Sequence, residues 1–363
     1  MTPIPFGRFF LPGPTEVHPD VLAAMLRPMI PHRGADMVAL LAGIEAPLRD
    51  MFRTSRRVLV GTCAATGFME MAIRGGVRHR VLSVVGGAFG ERFAAIGRAC
   101  GLDVVRLDVN PGGTVEADML RDALLRTEVD AVTLVHSETS TGALAPLAEL
   151  APVVHEFNDV MLLVDAVTSL AGSPVETDRL RLDFVFTGSQ KALALPPGLA
   201  LGVASERMLE RARKLPGRGA YLDLVAYEEA FAERQPTNTP ALSLFYALAG
   251  QCARIEQQGG VAARWDRHDA MRRTVEDWVD GEGGRLGFGY LPRCGRRSWT
   301  VSCLTVPQGM QSRPIVQRLK ADGWIIGSGY GPLKDSSIRI GHMGDHTVAG
   351  VTELLGRIAE ACR

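Results

Sequence analysis

Most features that would mark a membrane protein, an exported protein or a metal site are missing from this sequence. No apolar run approaches the length of a transmembrane helix, and the opening MTPIPFGRFFLPGPTEVHP puts Pro and Gly where a signal peptide needs an unbroken apolar core. A soluble, cytoplasmic protein is expected. An excess of charge is missing as well: Lys plus Arg and Asp plus Glu are both 40, the formal net charge is zero, and no block of one sign stands out. Nucleic acid and membrane surfaces are attracted by concentrated positive charge, so neither is the expected partner. The six cysteines (Cys63, Cys100, Cys252, Cys294, Cys303 and Cys362) form no C-x-x-C pair and no cluster with His. That disfavours both a zinc site and a disulfide framework. No internal repeat or low-complexity tract is visible.

What is present is length and a regular alternation. At 363 residues the chain exceeds the usual single-domain size. From about Arg57, short Val- and Leu-rich runs (57–62, 80–86, 103–109, 131–137, 161–167, 184–189 and 199–205) alternate with segments of helical period such as ERFAAIGRACG, EADMLRDALLRT and LAELAPVVHEF. Continuous apolar runs of this length read as strands buried on both faces, which is the pattern of a parallel sheet between helices. The expected fold is therefore α/β with a mostly parallel seven-stranded sheet. After about residue 215 the texture changes, through LPGRGAY and QPTNTP, to a long helix from Ala241 and a mixed remainder with strands such as WTVSCLTV. The expected division is an N-terminal arm (1–15), a large domain (16–257) and a smaller C-terminal α+β domain (258–363).

In open α/β sheets ligands bind beyond the C-terminal ends of the strands, so the residues that end each run carry the functional reading. Asp165 ends MLLV, where an ionised carboxylate is costly unless a cation meets it. Lys191 follows a second buried run in the apolar setting FVFTGSQKALALPPG, where desolvation lowers an amine's pKa and favours a Schiff base with a carbonyl. An Asp–Lys ion pair closing the sheet explains the same two residues. GTCAATGFMEMAI is a small-residue turn from strand to helix and presents backbone N–H groups to an anion such as phosphate, although such turns are also small for packing reasons. GGAFGER is a second such turn without the G-x-G-x-x-G order of a dinucleotide fingerprint. Its Phe89 suits the face of a planar ring or the core. Arg339, in KDSSIRIGHMG, suits a carboxylate or a structural role.

Taken in order, PGPTEVHP, GTCAATGFMEMA, GGAFGER, HSETSTG, VDAVTS, GSQKAL, PPG and IRIGHMG resemble the class V aminotransferases of fold type I, in particular the alanine–glyoxylate and serine–glyoxylate (serine–pyruvate) group. The resemblance runs from about Leu11 to near the C-terminus. It implies pyridoxal 5′-phosphate (PLP) as cofactor, joined to Lys191 as a Schiff base, with Asp165 on the pyridine nitrogen. Phe89 and Val167 would lie on the two ring faces. Ala65, Thr66 and Gly67 would cradle the phosphate, and Ser140 and Gln190 would lie near the ring substituents. Arg339, with Gly13 and Ser140 beside it, would bind the substrate. Asn238 and Thr239 would reach the phosphate of a neighbouring subunit, which implies a homodimer with shared sites. Ala64 and Ala65 depart from the serine or glycine common there, and Gln235 stands near a position where some relatives have tyrosine.

The activity so implied moves an amino group from alanine or serine to glyoxylate or pyruvate, with Lys191 carrying the proton. Other donors, such as ureidoglycine, a phosphonate amine or pyridoxamine, fit the same motifs, and His32 and Arg33 are candidates to face the substrate or simply the surface. A cysteine desulfurase-like lyase is the rival from another reaction class. Such an enzyme usually stacks a histidine where Phe89 stands and needs a nucleophilic loop cysteine, for which Cys294 and Cys303 are the candidates. A nicotinamide-dependent dehydrogenase, or a non-catalytic binding protein on the same scaffold, is the remote alternative.

Overall fold

The computed structural model describes residues 4–363. Its strands are β1 (Phe9–Phe10), β2 (Leu59–Gly61), β3 (Arg80–Val85), β4 (Asp103–Asp108), β5 (Ala131–Val135), β6 (Ser137–Glu138), β7 (Ala143–Leu144) and β8 (Met161–Asp165) in the first half. They continue with β9 (Phe184–Gly188), β10 (Ala200–Ala204), β11 (Gly289–Tyr290), β12 (Ser302–Thr305), β13 (Ile325–Ser328) and β14 (Ser337–Ile340). Every apolar run singled out in the sequence contributes to one seven-stranded sheet of order β2-β10-β9-β8-β5-β3-β4. The pairs β3–β4, β3–β5, β5–β8 and β8–β9 are parallel, while β10 runs antiparallel to both of its neighbours. Strands β5, β8, β9 and β10 are buried along their whole length, which is why they read as unbroken apolar runs rather than alternating ones.

Helices cover the sheet, and each buries an apolar stripe. In Ala35–Phe52 the buried side chains are Met37, Leu41, Ile44, Leu48, Met51 and Phe52, a spacing of four and three that keeps one face inward. This helix packs on Leu242–Gln257 and ends at Arg53, whose left-handed φ of 52° lets its N–H return to Arg49 and Asp50.

A second core lies outside the large sheet. Phe10, Met271, Val275, Leu304, Trp324, Ile338, Leu354 and Ile358 cluster around a five-stranded sheet of order β1-β13-β14-β12-β11. The segment read as an N-terminal arm thus supplies an edge strand: Phe9 and Phe10 pair in parallel with Ile325 and Ile326. Phe10 also stacks on His346, ring centroids 3.9 Å apart. From that strand the chain crosses to the large sheet, where Thr15 N–H donates to Gln190 O at 2.9 Å.

The two cores are tied by an ion pair buried behind the lysine-bearing turn. Arg264, on helix Gly260–Trp278, lies 2.9 Å from Asp345 and donates to Ala192 O at 2.6 Å. Both side chains are 5% exposed or less, so removing Arg264 leaves the buried Asp345 charge with only Arg267, 3.8 Å away, and the Gln251 amide at 3.2 Å. Arg264→Ala is expected to destabilise the protein by about 3–5 kcal/mol. A thermal melt checks this, and an unchanged Tm would show that the pair contributes nothing.

Candidate active site

Asp165 is the last residue of β8, and Lys191 lies in the turn that follows β9, the neighbouring parallel strand. Both therefore sit at the C-terminal edge of the sheet, where the crossover connections leave space for a ligand. Asp165 is buried, and its Oδ1 accepts the Val167 N–H at 2.8 Å. No other hydrogen bond reaches that carboxylate among the described residues. Burial pushes the Asp165 carboxyl up to about 7, and the Glu138 carboxylate adds to the rise while Lys191 opposes it. Burial likewise pushes the Lys191 amine down to about 8; Arg339 acts in the same direction, Asp165 and Glu138 in the other.

The lysine is enclosed by the N-terminal crossing. Its Nζ donates to Pro12 O and lies 5.9 Å from the centroid of the Phe89 ring. Gly13 has φ of +110°, and a Cβ there would come within 2.6 Å of Lys191 Cδ and Cε. Glycine meets both requirements, the unusual φ and the close approach.

Phe89 opens helix Ala88–Ala99, whose N-cap, Gly87, offers no side-chain acceptor. The acceptors come from another element. Ser140 Oγ takes the Ala88 N–H at 3.0 Å, and Glu138 Oε2 takes those of Phe89 and Gly90 at 3.1 and 3.2 Å. Glu138 Oε1 accepts from Ser140 N at 3.1 Å and from Ser140 Oγ. This carboxylate already occupies the helix N-terminus, so the GGAFGER turn cannot take a dinucleotide phosphate. Glu138 was passed over in the sequence although it lies inside HSETSTG. The available signal was a carboxylate immediately after a buried strand, the same signal that marked Asp165.

Arg339 on β14 faces the same space. Its Nε donates to Ser328 O at 2.9 Å and its Nη1 to Thr139 O at 3.2 Å, which orients the guanidinium and leaves Nη2 without a hydrogen bond among the described residues. Its Cζ lies 5.5 Å from the Tyr330 ring centroid. Among the described residues no carboxylate pairs with Arg339, and burial pushes its pKa below the usual value. A partly buried arginine in this condition is ready for an incoming carboxylate.

Helix Ala65–Gly76 begins on the same edge. Ala64 supplies no side-chain cap, and the Gly67 N–H turns back to Ala64 O at 2.8 Å, so the Ala65 and Thr66 N–H groups are left for an anion. A Cβ on Gly188 would lie 3.2 Å from Ala65 and 2.7 Å from Gln190 Oε1, which puts this helix start and Gln190 beside the lysine-bearing turn. Asn238 and Thr239 line a small cleft with Thr62 and Tyr221, near that helix start. His32, half-buried, and Arg33, exposed, lie in the loop before helix Ala35–Phe52, and among the described residues their side chains make no hydrogen bond or ion pair.

These residues fit PLP. Asp165 is a buried carboxylate with one donor on Oδ1 and, among the described residues, none on Oδ2, which suits a protonated ring nitrogen, Lys191 an amine depressed toward neutrality, Phe89 and Val167 apolar surfaces for a ring, and the Ala65–Gly67 turn a set of free N–H groups for phosphate. The desulfurase reading lacks its nucleophile. Cys303 is buried within β12, where burial pushes its thiol up to about 11, and Cys294 is exposed and makes no hydrogen bond to the site residues among the described residues. A raised carboxyl also has a consequence for stability. Because the folded pKa of Asp165 lies above its ordinary value of 3.8, the ligand-free protein loses stability as pH rises from about 4 to about 7. Asp165→Asn escapes that loss: its ligand-free Tm is expected to exceed wild type by about 2–4 °C at pH 8 and to match it near pH 4. Thermal melts at the two pH values decide, and a lower Tm for the variant at pH 8 would refute the buried-charge argument.

Comparison with known proteins agrees with this geometry. Residues 88–332 match the family model for aminotransferase class-V. The chain is 35% identical to an uncharacterised aminotransferase of Methanocaldococcus jannaschii over 96% of its length and 90% of the relative's. It is 27% identical to a serine–glyoxylate aminotransferase of Methylorubrum extorquens, covering 98% of this chain and 90% of that one. Its fold superposes on an alanine–glyoxylate aminotransferase of Nostoc with a TM-score of 0.91 at 29% identity, covering 100% of this chain and 97% of that one. With a buried amine and a buried carboxylate at one sheet edge and this extent of similarity, the chain belongs to the class V aminotransferases, PLP-dependent transaminases of the α/β type.

Proposed function

We propose that this transaminase moves an amino group from alanine or serine to glyoxylate or pyruvate, and that it works as a homodimer whose sites are shared. The single observation that carries the substrate reading is Arg339, oriented by two backbone carbonyls and without an acidic partner. One fixed guanidinium suits one α-carboxylate, which is what a small amino acid and a small 2-oxo acid have in common. The names of the Nostoc and Methylorubrum relatives support the same substrate class.

PLP, when bound, supplies an electron sink that stabilises the carbanion left when the amino acid loses its α proton. The rest falls to the chain. Asp165 would face the ring nitrogen and favour its protonated form. Phe89 and Val167 would confine the ring between apolar surfaces, and the Ala65–Gly67 turn would hold the phosphate by backbone groups. Arg339 fixes the substrate carboxylate so that the α C–H bond faces Lys191. Lys191 Nζ, already close to neutrality, takes that proton and returns it, a positioned transfer that contributes on the order of 10²- to 10⁴-fold. The chain crossing at Pro12 and Gly13 covers Lys191 and keeps water from it.

The dimer reading rests on Asn238 and Thr239, which the family resemblance assigns to the neighbouring subunit's phosphate. Sedimentation shows the assembly, and mixed dimers carrying Lys191→Ala in one subunit and Asn238→Ala in the other show the sharing. A second substrate reading, a dicarboxylic partner, is favoured by Arg92. This exposed residue has no carboxylate partner among the described residues, and its Cζ lies 5.0 Å from the Phe89 ring centroid. The test for both is to load the protein with PLP, add alanine, serine, aspartate, glutamate, ureidoglycine or pyridoxamine singly, and rank the half-reaction rates from the visible spectrum. Alanine or serine leading the panel upholds the first reading; aspartate or glutamate leading it transfers the assignment to the second.

A further inference from the structure

Glu138 takes no part in the proposed amino transfer, yet four donors reach it beside Asp165 and Lys191. It ends β6, a short strand paired with β7 in a hairpin that begins just beyond the C-terminal edge of β5. Its side chain is 5% exposed. Four donors converge on it: the N–H groups of Phe89 and Gly90 on one oxygen, the N–H and hydroxyl of Ser140 on the other. The first two belong to the positive end of a helix. With donors on both oxygens, both must act as acceptors, which a carboxylate does without turning an O–H toward a donor.

A glutamine cannot take its place fully. Its amide has one acceptor oxygen, and the –NH₂ would face N–H groups on whichever side it lay. The space is also closed to anything larger, because a Cβ on Gly87 would lie 2.5 Å from Glu138 Cγ. The position therefore calls for a carboxylate at this reach.

The charge has a second destination. Lys191 is faced by Arg339 from β14, Arg92 from helix Ala88–Ala99, Asp165 from β8 and Glu138 from β6, and by the Pro12 carbonyl. The two arginines disfavour an ammonium there, while the two carboxylates favour it. Asp165 is committed to the ring nitrogen once the cofactor is bound. Glu138 is then the remaining buried anion that balances a positive charge on the lysine nitrogen.

We propose that Glu138 is a positioning residue whose carboxylate seats Phe89 against the cofactor ring and serves as the counter-charge to a protonated Lys191 nitrogen. The inference rests on the PLP reading for the ring and on the ligand-free geometry for the lysine, and these two parts are tested separately. Removing the charge lowers the pH at which Lys191 gives up its proton; removing only the reach loosens Phe89.

The closing experiment compares full-length wild type, Glu138→Gln and Glu138→Asp, with folding checked by circular dichroism. In the ligand-free proteins, the pH dependence of Lys191 modification by an amine-acylating reagent is followed by peptide mass spectrometry. In PLP-loaded proteins, the visible band is titrated with pH and cofactor release is timed. Glu138→Gln is expected to lower both midpoints by on the order of one pH unit. Glu138→Asp keeps the charge but falls short of the helix, so its midpoints stay with wild type while PLP release quickens about tenfold. Unchanged midpoints in a folded Gln variant overturn the proposal. If the Gln variant does not fold, a midpoint for the Asp variant lowered by a full unit overturns it instead. A wild-type protein that takes up no PLP sinks the functional reading and leaves the acylation comparison to judge Glu138.

Discussion

Lys191→Ala is expected to lose turnover by at least about 10⁴-fold and to lose the visible absorption of the PLP-loaded protein in the same step. The two losses are expected together because the proposal gives one nitrogen both the bond to the cofactor and the transfer of the substrate proton. No other lysine can substitute: Nζ is buried, held by Pro12 O and enclosed by Gly13, and alanine leaves that space without an amine. Asp165 and Phe89, the proposed ring contacts, remain, so the variant is expected to bind the cofactor without a covalent bond. Steady-state transamination with alanine and glyoxylate, read beside the absorption spectrum, checks the expectation. A variant retaining turnover within about a hundredfold of wild type would remove Lys191 from the reaction.

Arg339→Ala has the second-largest expected effect, and it falls on the substrate. Deleting a desolvated partner of a carboxylate costs about 2–5 kcal/mol, so KM for the amino acid is expected to rise by roughly 10²-fold or more. PLP affinity is expected to change by less than about threefold, because the guanidinium is anchored to Ser328 O and Thr139 O rather than to any proposed cofactor contact. Measuring KM and the PLP dissociation constant on the same preparation separates the two. An unchanged KM would assign Arg339 a structural role and shift the carboxylate contact to Arg92.

Different features were legible at different ranges along the chain. The large sheet could be read directly, because strands buried on both faces must be apolar throughout, and each of the seven runs became a strand within a few residues of its expected ends. The antiparallel direction of β10 was not legible, since its composition matches that of its parallel neighbours. Asp165 and Lys191 stood out because a charge at the end of an apolar run is costly without a partner. Glu138 carried the same mark but sat among Ser and Thr, where a carboxylate looks like an ordinary turn residue. Its partners, Phe89 and Gly90, lie 49 and 48 positions away in the chain.

The sequence by itself thus determined the fold class and the family, and it singled out the amine, the carboxylate and the arginine that are proposed for the reaction. Each of these follows from local composition or from motifs in a stated order. The tertiary structure alone decided that Phe9 and Phe10 close the distant C-terminal sheet, that Pro12 and Gly13 then cover Lys191, and that Glu138 caps the helix bearing Phe89. Those arrangements join segments tens to hundreds of residues apart, through backbone groups that every residue type except proline shares in full. No side-chain pattern announces them, and only packing brings them together.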